Sequence, residues 1–307
     1  MSILSLPFLL LAAGAGFVSW LTPGKARKYA VLAANIIFLA LLASRILDVI
    51  YVLVLCAWTW FFGSLLGKQK NKGILALSIA VPVLGLIICK YAGFFAGAGW
   101  VMPLGISFYT FKAISYLADV SADKVSAKDP LSVFDYLIFF PVFMAGPINR
   151  AKPFFDELEG PWRFEYADQK KGFVQAMLGC FEKLVIADQL AAGVSIYLNP
   201  ELSGWYTVFG VILYAFQIYT DFDAYSNVAI GAARLMGFHI ERNFHTPYLS
   251  ASIPEFWRRW HMSLSSWLRD YIYIPLGGSR KGTVRRILNV LITFKWFDQI
   301  ILQLLGW

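Results

Sequence analysis

The feature that most constrains this chain is a series of apolar segments long enough to cross a bilayer. Ile3 to Leu21 carries no charge at all, and a spanning helix needs about 20 largely apolar residues. Comparable runs follow at Tyr29 to Ser44, Val49 to Gly67, Ile74 to Cys89, Tyr91 to Ala118 (broken at Pro103) and Leu131 to Ile148. Three more come later: Gly172 to Leu198, Gly204 to Met236 and Ile287 to Trp307. With 58% hydrophobic against 15% charged residues, there are too few polar side chains to coat a water-facing globule. A cytosolic enzyme, a disordered chain and a disulfide-stapled secreted scaffold are excluded. The expectation is an all-α, polytopic transmembrane helical bundle of eight or nine helices. It forms a single membrane-embedded domain: N-terminal spans over 1–148, an interfacial loop with a short amphipathic helix over 149–171, a core over 172–294 and a tail over 295–307.

The formal net charge of +8 is not gathered into a nucleic-acid stripe. Lys25, Arg27 and Lys28, then Lys68, Lys70 and Lys72, sit in short loops between apolar runs, which suits anionic lipid headgroups and predicts no nucleic-acid partner. The first basic cluster follows its apolar run, the reverse of a cleaved signal peptide, so this segment reads as a span with the N-terminus outside. Cys56, Cys89 and Cys180 are isolated in apolar stretches and read as packing residues. No spacing of His, Cys or carboxylates suggests a metal site. His239 and His245 read as loop residues.

Ionisable groups inside spans are expensive and therefore functional candidates. Gln217, Asp221 and Tyr225 fall at i, i+4 and i+8 on one helix face, with Asp223 off it. Glu182 and Lys183 are neighbours that cannot face each other on an α-helix, so each calls for a partner elsewhere. Lys112 and Arg150 lie beside turn signals, where snorkelling to the interface accounts for both, and Arg150 could alternatively hold a phosphate. Gly146-Pro147 is expected to end the preceding helix. An ion path through Asp221 and Lys112, as in a transporter, is a third function class.

The densest constellation runs from Ser252 to Tyr271. Ser252 and Glu255 form a capping box with Pro254 in the first turn, predicting a helix that starts near Ile253. Continued through Tyr271, it places Phe256, Trp257, Trp260, Leu264, Trp267, Leu268 and Tyr271 on one side and Arg258, Met262, Ser265 and Arg269 on another. The tryptophans and arginines alone fit a helix at the membrane interface. His261 falls at the border, where an imidazole against an apolar wall suits general-base chemistry.

A series of motifs, in order, resembles the membrane-bound O-acyltransferase family: Pro103-Leu-Gly-Ile-Ser-Phe-Tyr, Phe140-Pro with Ala145-Gly-Pro-Ile-Asn-Arg150, Lys183-Leu-Val-Ile-Ala-Asp188, Asp221-Phe-Asp-Ala-Tyr-Ser226, Arg242-Asn-Phe-His-Thr-Pro-Tyr248, and Glu255-Phe-Trp-Arg-Arg-Trp-His261 through Tyr273-Ile-Pro-Leu-Gly-Gly278. Within the family the alginate O-acetyltransferase membrane-subunit branch looks nearer than the D-alanyl branch, through Trp267-Leu-Arg-Asp-Tyr-Ile-Tyr-Ile-Pro-Leu-Gly-Gly. The resemblance implies helices around a thin centre where funnels from both sides meet at a histidine, matched here by His261 as the catalytic residue. It implies Asp221, Tyr225, Arg150, Asn243, Trp257, Arg258, Trp260, Arg269 and Asp270 as substrate-binding or motif-supporting residues. It implies no bound cofactor, an acyl thioester co-substrate (acetyl-CoA or an acyl carrier) and a polysaccharide hydroxyl as acceptor. Membrane lipids and acetylation partner proteins of the periplasm or cell envelope are the implied associates, and a multi-pass inner-membrane location follows.

The chain also departs from the family pattern. Asn289-Val-Leu-Ile-Thr-Phe294 matches, but the Gly-Leu-Trp-His-Gly expected next is replaced by Lys295-Trp-Phe-Asp-Gln-Ile-Ile-Leu-Gln-Leu-Leu-Gly-Trp307. The second family histidine would fall near Ile301, which is the pattern of a frameshifted or truncated reading frame. Asp223-Ala224 and Asn227 stand where the family usually shows a Gly and an Asp. The expectation is therefore an O-acetyltransferase-type protein with little or no turnover by itself, the alternative being an inactive remnant or a membrane interaction subunit.

Overall fold

The structure, a computed structural model, describes residues 4–22, 26–42, 45–96, 103, 105–144, 146–161, 164–199, 201–280 and 282–304, and of 92–96 and 295–304 it describes the backbone alone. Among the sequence expectations, Ile3, Lys25, Ser44, Leu104, Ala145 and Trp307 lie outside the described residues, as do the side chains of Lys295, Asp298, Gln299 and Ile301.

The described residues form helices and no strand. Four long helices open the chain: α1 (Leu6–Leu21), α2 (Ala26–Leu42), α3 (Ile46–Lys68) and α4 (Lys72–Ala96). By length and composition, Ile46–Lys68 and Lys72–Tyr91 are apolar enough to cross a membrane, and α1 is a shorter apolar helix. Their outward faces carry exposed Leu10, Phe17, Leu53, Val54, Phe61, Leu84 and Ile88. So many large apolar groups facing outward need lipid, not water, around them. The run expected to pause between Cys89 and Tyr91 continues through Lys90 as one helix.

α5 (Ile106–Ser121) is buried on nearly every side, packed by α3 and α4. α6 (Pro130–Ile138) starts where Asp129 accepts the N–H groups of Leu131 and Ser132 and Pro130 occupies the first turn. The apolar run to Ile148 predicted a longer helix ended by Gly146-Pro147, but α6 stops at Ile138 and a 3₁₀ turn follows at Phe140–Val142. The reason is a side chain from another helix: the Asn35 amide oxygen accepts the Phe140 N–H at 3.0 Å. The interfacial segment contains α7 (Ala151–Glu159), which buries Phe154, Phe155 and Leu158.

α8 (Tyr166–Phe181), a π-helical turn (Glu182–Ala187) and α9 (Asp188–Tyr197) lie along α10 (Trp205–Leu235). Small residues let α8 and α10 approach closely: the Cα of Gly231 faces Gly172 and Ala176, and Gly179 faces Ala224 and Val228. α1 joins this pair through the Trp20 indole N–H, which donates to the Leu235 carbonyl at 3.1 Å. Arg27 of α2 closes the arrangement by donating to the carbonyls of Glu157, Met236 and Gly237 at 2.7, 2.8 and 3.0 Å. Two short helices, α11 (Ile253–Arg259) and α12 (Met262–Leu268), a π turn (Arg269–Tyr273) and α13 (Thr283–Leu304) complete the described residues. Apart from α7, pieces of seven to nine residues are invisible to a 20-residue window, which explains why the sequence pattern merges or omits them.

Candidate functional site

The single helix expected from Ile253 to Tyr271 is two helices broken at His261. Its start is as read: the Ser252 hydroxyl accepts the Glu255 N–H at 3.3 Å, and the Glu255 carboxylate accepts the Ala251 N–H at 2.9 Å. The break occurs because a neighbouring loop replaces two of the helix's own hydrogen bonds. The Arg259 carbonyl accepts from the His245 N–H at 2.9 Å, and the Met262 N–H donates to the Asn243 carbonyl at 2.8 Å. Between these staples His261 takes φ 40°, ψ 55°, a left-handed conformation costing about 1 kcal/mol or more in a non-glycine residue.

That turn swings the imidazole inward, so His261 is not at a polar border. It is 1% exposed, with the Phe222 ring edge-on at 4.7 Å and the Phe244 ring stacked at 6.2 Å between centroids. Nδ1 lies 3.2 Å from Asn243 Oδ1. The same oxygen accepts from the Ser263 hydroxyl at 2.6 Å, and Asn243 Nδ2 donates to Ser226 Oγ at 3.0 Å. Ser263 Oγ in turn accepts the Ile148 N–H at 3.0 Å. His261 sits between two seven-residue helices, neither able to cross a bilayer, and burial pushes its pKa down to about 3. The ring is therefore neutral, and its Nε2 makes no hydrogen bond among the described residues.

The remaining candidates fall into separate groups. Asn243 alone joins His261 directly. Arg150 does not snorkel or wait for a phosphate: it donates to Asp270 at 3.0 Å and Ser266 at 3.1 Å and lies over the Tyr271 ring at 4.9 Å. Asp270 also accepts from Arg269 at 2.8 Å. Asp221 pairs with Lys183 at 2.6 Å; the ammonium reaches Asp188 at 2.8 Å and sits 5.7 Å from the Tyr225 ring centroid. The wide π turn lets consecutive residues both reach α10, since Glu182 accepts from Asn227 at 3.3 Å. Each of the pair thus has the structural partner the sequence called for.

Lys112 is another correction. It is 1% exposed, and its ammonium donates to the carbonyls of Tyr136 and Leu137 at 3.0 and 3.2 Å, at the end of α6, where a helix favours a cation. With Asp221 held by Lys183 and Lys112 by these carbonyls, no described contact links the two into an ion path. The break sends Trp267 away from Trp257 and Trp260, which precede it and both meet Phe256 at 5.4 Å. Trp257 meets Phe294 of α13 at 5.4 Å, Trp260 stacks on Phe256 at 5.4 Å, and Trp267 donates to the Phe111 carbonyl at 3.1 Å. Arg258 is exposed, while Trp257 and Arg269 line an apolar groove against α13 with Leu268, Tyr273 and Val290.

His239 is more than a loop residue. Its Nδ1 lies 2.9 Å from Glu157 and its Nε2 2.9 Å from Asp168, tying α7 to α8. Sequence reasoning also passed over Phe222, Ser226 and Ser263 around His261. Ser263 follows the histidine by two residues, but its partner Asn243 is twenty residues away, so no local spacing announces it.

Residues 106–296 match the model of MBOAT, the membrane-bound O-acyltransferase family. The chain belongs to this family of membrane proteins. It is 38% identical over 234 residues to the probable alginate O-acetylase AlgI of Pseudomonas putida, covering 74% of this chain and 46% of that protein. The probable alginate O-acetylase AlgI of Azotobacter vinelandii is 33% identical over 301 residues, covering 89% of this chain and 59% of that protein. A teichoic acid D-alanyltransferase of Streptococcus thermophilus is 31% identical over 245 residues, covering 76% and 59%. The chain spans about half the length of the curated relatives it matches.

Proposed function

We propose that this chain carries the histidine-bearing core of an O-acetyltransferase of the cell inner membrane, moving acetyl from a thioester (acetyl-CoA or an acyl carrier) to a hydroxyl of an exported polysaccharide. The observation that carries the reading is a buried neutral imidazole with Nδ1 bonded to Asn243 and Nε2 without a partner among the described residues. The identities to alginate O-acetylases support acetyl as the group and a polysaccharide as the acceptor. Acetylation proteins of the envelope are the proposed partners.

In the proposed reaction Nε2 takes the proton of the acceptor hydroxyl as its oxygen attacks the thioester carbonyl. The carbon–sulfur bond then breaks, and the proton passes from the imidazolium to the departing thiolate. Ester and free thiol are the products, and the histidine returns to its starting state. The low-polarity surroundings of Phe222 and Phe244 strengthen each charge interaction formed during transfer.

The test is acetyl transfer from labelled acetyl-CoA to oligomannuronate by the 307-residue chain in proteoliposomes. Transfer that His261→Gln abolishes supports the reading and overturns the expectation of little or no turnover by this chain. Stable insertion of wild type with no transfer overturns it for this chain and favours an interaction subunit.

A further inference from the structure

We infer that Asn243 is a positioning residue that fixes which nitrogen of His261 carries the proton. The inference rests on the reading of His261 as the proton acceptor, and it concerns the device that aims that acceptor.

Ser263 decides which way the neighbouring amide is turned. Its buried Oγ already accepts the Ile148 N–H at 3.0 Å, so its own O–H needs an acceptor. The amide of Asn243 is 2.6 Å away. That separation lies in the O–H···O range and is shorter than N–H···O bonds usually are. Asn243 therefore turns its oxygen toward Ser263, and its NH₂ toward Ser226 at 3.0 Å. The opposite orientation would place two donors against Ser263 and leave a buried hydroxyl proton unpaired.

With the amide oriented, the histidine has no choice. An amide oxygen only accepts, so the contact of 3.2 Å at His261 Nδ1 requires the proton to be on Nδ1. Nε2 then carries the lone pair. The hydrogen bond made by one ring nitrogen decides the state of the other. Asn243 is itself held from both ends, by Ser226 of α10 and by its carbonyl bond to the Met262 N–H at 2.8 Å. Because that carbonyl bond also maintains the helix break, one residue sets both the direction and the tautomer of the ring.

The experiment is ¹⁵N and ¹³C spectroscopy of the histidine-labelled full chain in nanodiscs. The chain has 3 histidines, and His261→Gln identifies the signal of interest. The wild-type His261 is expected as the Nδ1–H tautomer. Asn243→Leu is expected to move it to Nε2–H or a mixture, whereas Asn243→Asp, which keeps the acceptor, retains Nδ1–H. Ser263→Ala is expected to give a mixture by freeing the amide, and serves should the Asn243 variants fail to fold. A wild-type Nε2–H tautomer overturns the inference, as does an unchanged spectrum in a folded Asn243→Leu.

A kinetic arm separates this inference from the proposed reaction. Loss of an orienting partner of a working histidine is expected to lower kcat about 100-fold, the scale of a misplaced catalytic group, with KM little changed, and to be restored in part by Asn243→Asp. The wild-type tautomer decides the positioning inference without any turnover, whereas transfer that survives His261→Gln overturns the assignment of His261 as the base.

Discussion

Gly231→Ala tests whether α8 and α10 approach as closely as described. A Cβ at position 231 would stand 2.5 Å from the Ala176 nitrogen, 2.6 Å from the Gly172 oxygen and 2.7 Å from the Ala176 Cβ. Ordinary carbon contacts lie near 3.5–4.0 Å, so α8 must retreat by about 1 Å. Two of the three obstructing atoms are backbone and cannot rotate away. Overpacking of a tight core costs about 1–3 kcal/mol, and a clash with helix backbone belongs at the upper end, near 3 kcal/mol, roughly a hundredfold in the unfolding equilibrium. Gly14→Ala is the control, since nothing lies within 4 Å of its Cβ. There the same substitution gains helix propensity of about 0.5 kcal/mol. Reversible unfolding in mixed micelles, followed by helical circular dichroism, measures both. The two variants should move the midpoint in opposite directions. Gly231→Ala within 0.5 kcal/mol of wild type, a margin well below the 1–3 kcal/mol range, would refute the packing argument.

Three further outcomes follow from the ion pairs. Lys183→Met strands both Asp188 and Asp221, so it should lower the thermal midpoint more than Asp221→Asn, which leaves Lys183 one carboxylate. Arg150→Ala and Asp270→Ala should be non-additive, with a coupling of about 1 kcal/mol in a double-mutant cycle, because the pair at 3.0 Å is only partly exposed. Burial pushes the Asp129 carboxyl up, but Lys28 and Ser132 outweigh it and hold the pKa at about 2 against an ordinary 3.8. A depressed carboxylate stabilises above its unfolded pKa and loses that contribution as pH falls through the folded value. Asp129→Ala should therefore cost about 1 kcal/mol at neutral pH as a lost helix cap, with the difference from wild type shrinking between pH 4 and pH 2 in acid titrations of unfolding.

What was legible in the sequence is what local pattern encodes. The apolar run Gly204 to Met236 anticipates α10 within a residue at each end, and the Ser252 capping box marks the start of α11. The amphipathic α7 was visible between polar flanks. The break at His261 was not, because the bonds that cause it come from His245 and Asn243, in a loop with no periodicity. Once the break was missed, a helical wheel put Arg258 beside Arg269 and grouped Trp267 with Trp257 and Trp260, whereas it packs on Phe111. Lys112 was misjudged for a related reason: snorkelling is the cheaper choice for a lone lysine, and only the end of α6, from another part of the chain, supplies carbonyls to satisfy it indoors. Ser263 carried no signal, and Ser226 only its place at the end of the Asp221 to Ser226 motif, since their significance is a shared partner distant in sequence.

The Arg27 bonds set an order of events in time. Its guanidinium ends on the carbonyls of Met236 and Gly237, 209 and 210 residues downstream. At about 5–20 residues per second of synthesis, those acceptors emerge roughly 10 to 40 seconds after the arginine itself. During that interval the Glu157 carbonyl, 130 residues downstream, comes first, and the donors that end on Met236 and Gly237 must be served by water, lipid headgroups or the insertion machinery. The first hairpin of helices can enter the bilayer early, but its seat against the end of α10 exists only when synthesis has passed residue 237. A series of released chains truncated just before and just after that residue should therefore show the N-terminal helices changing from protease-accessible to protected.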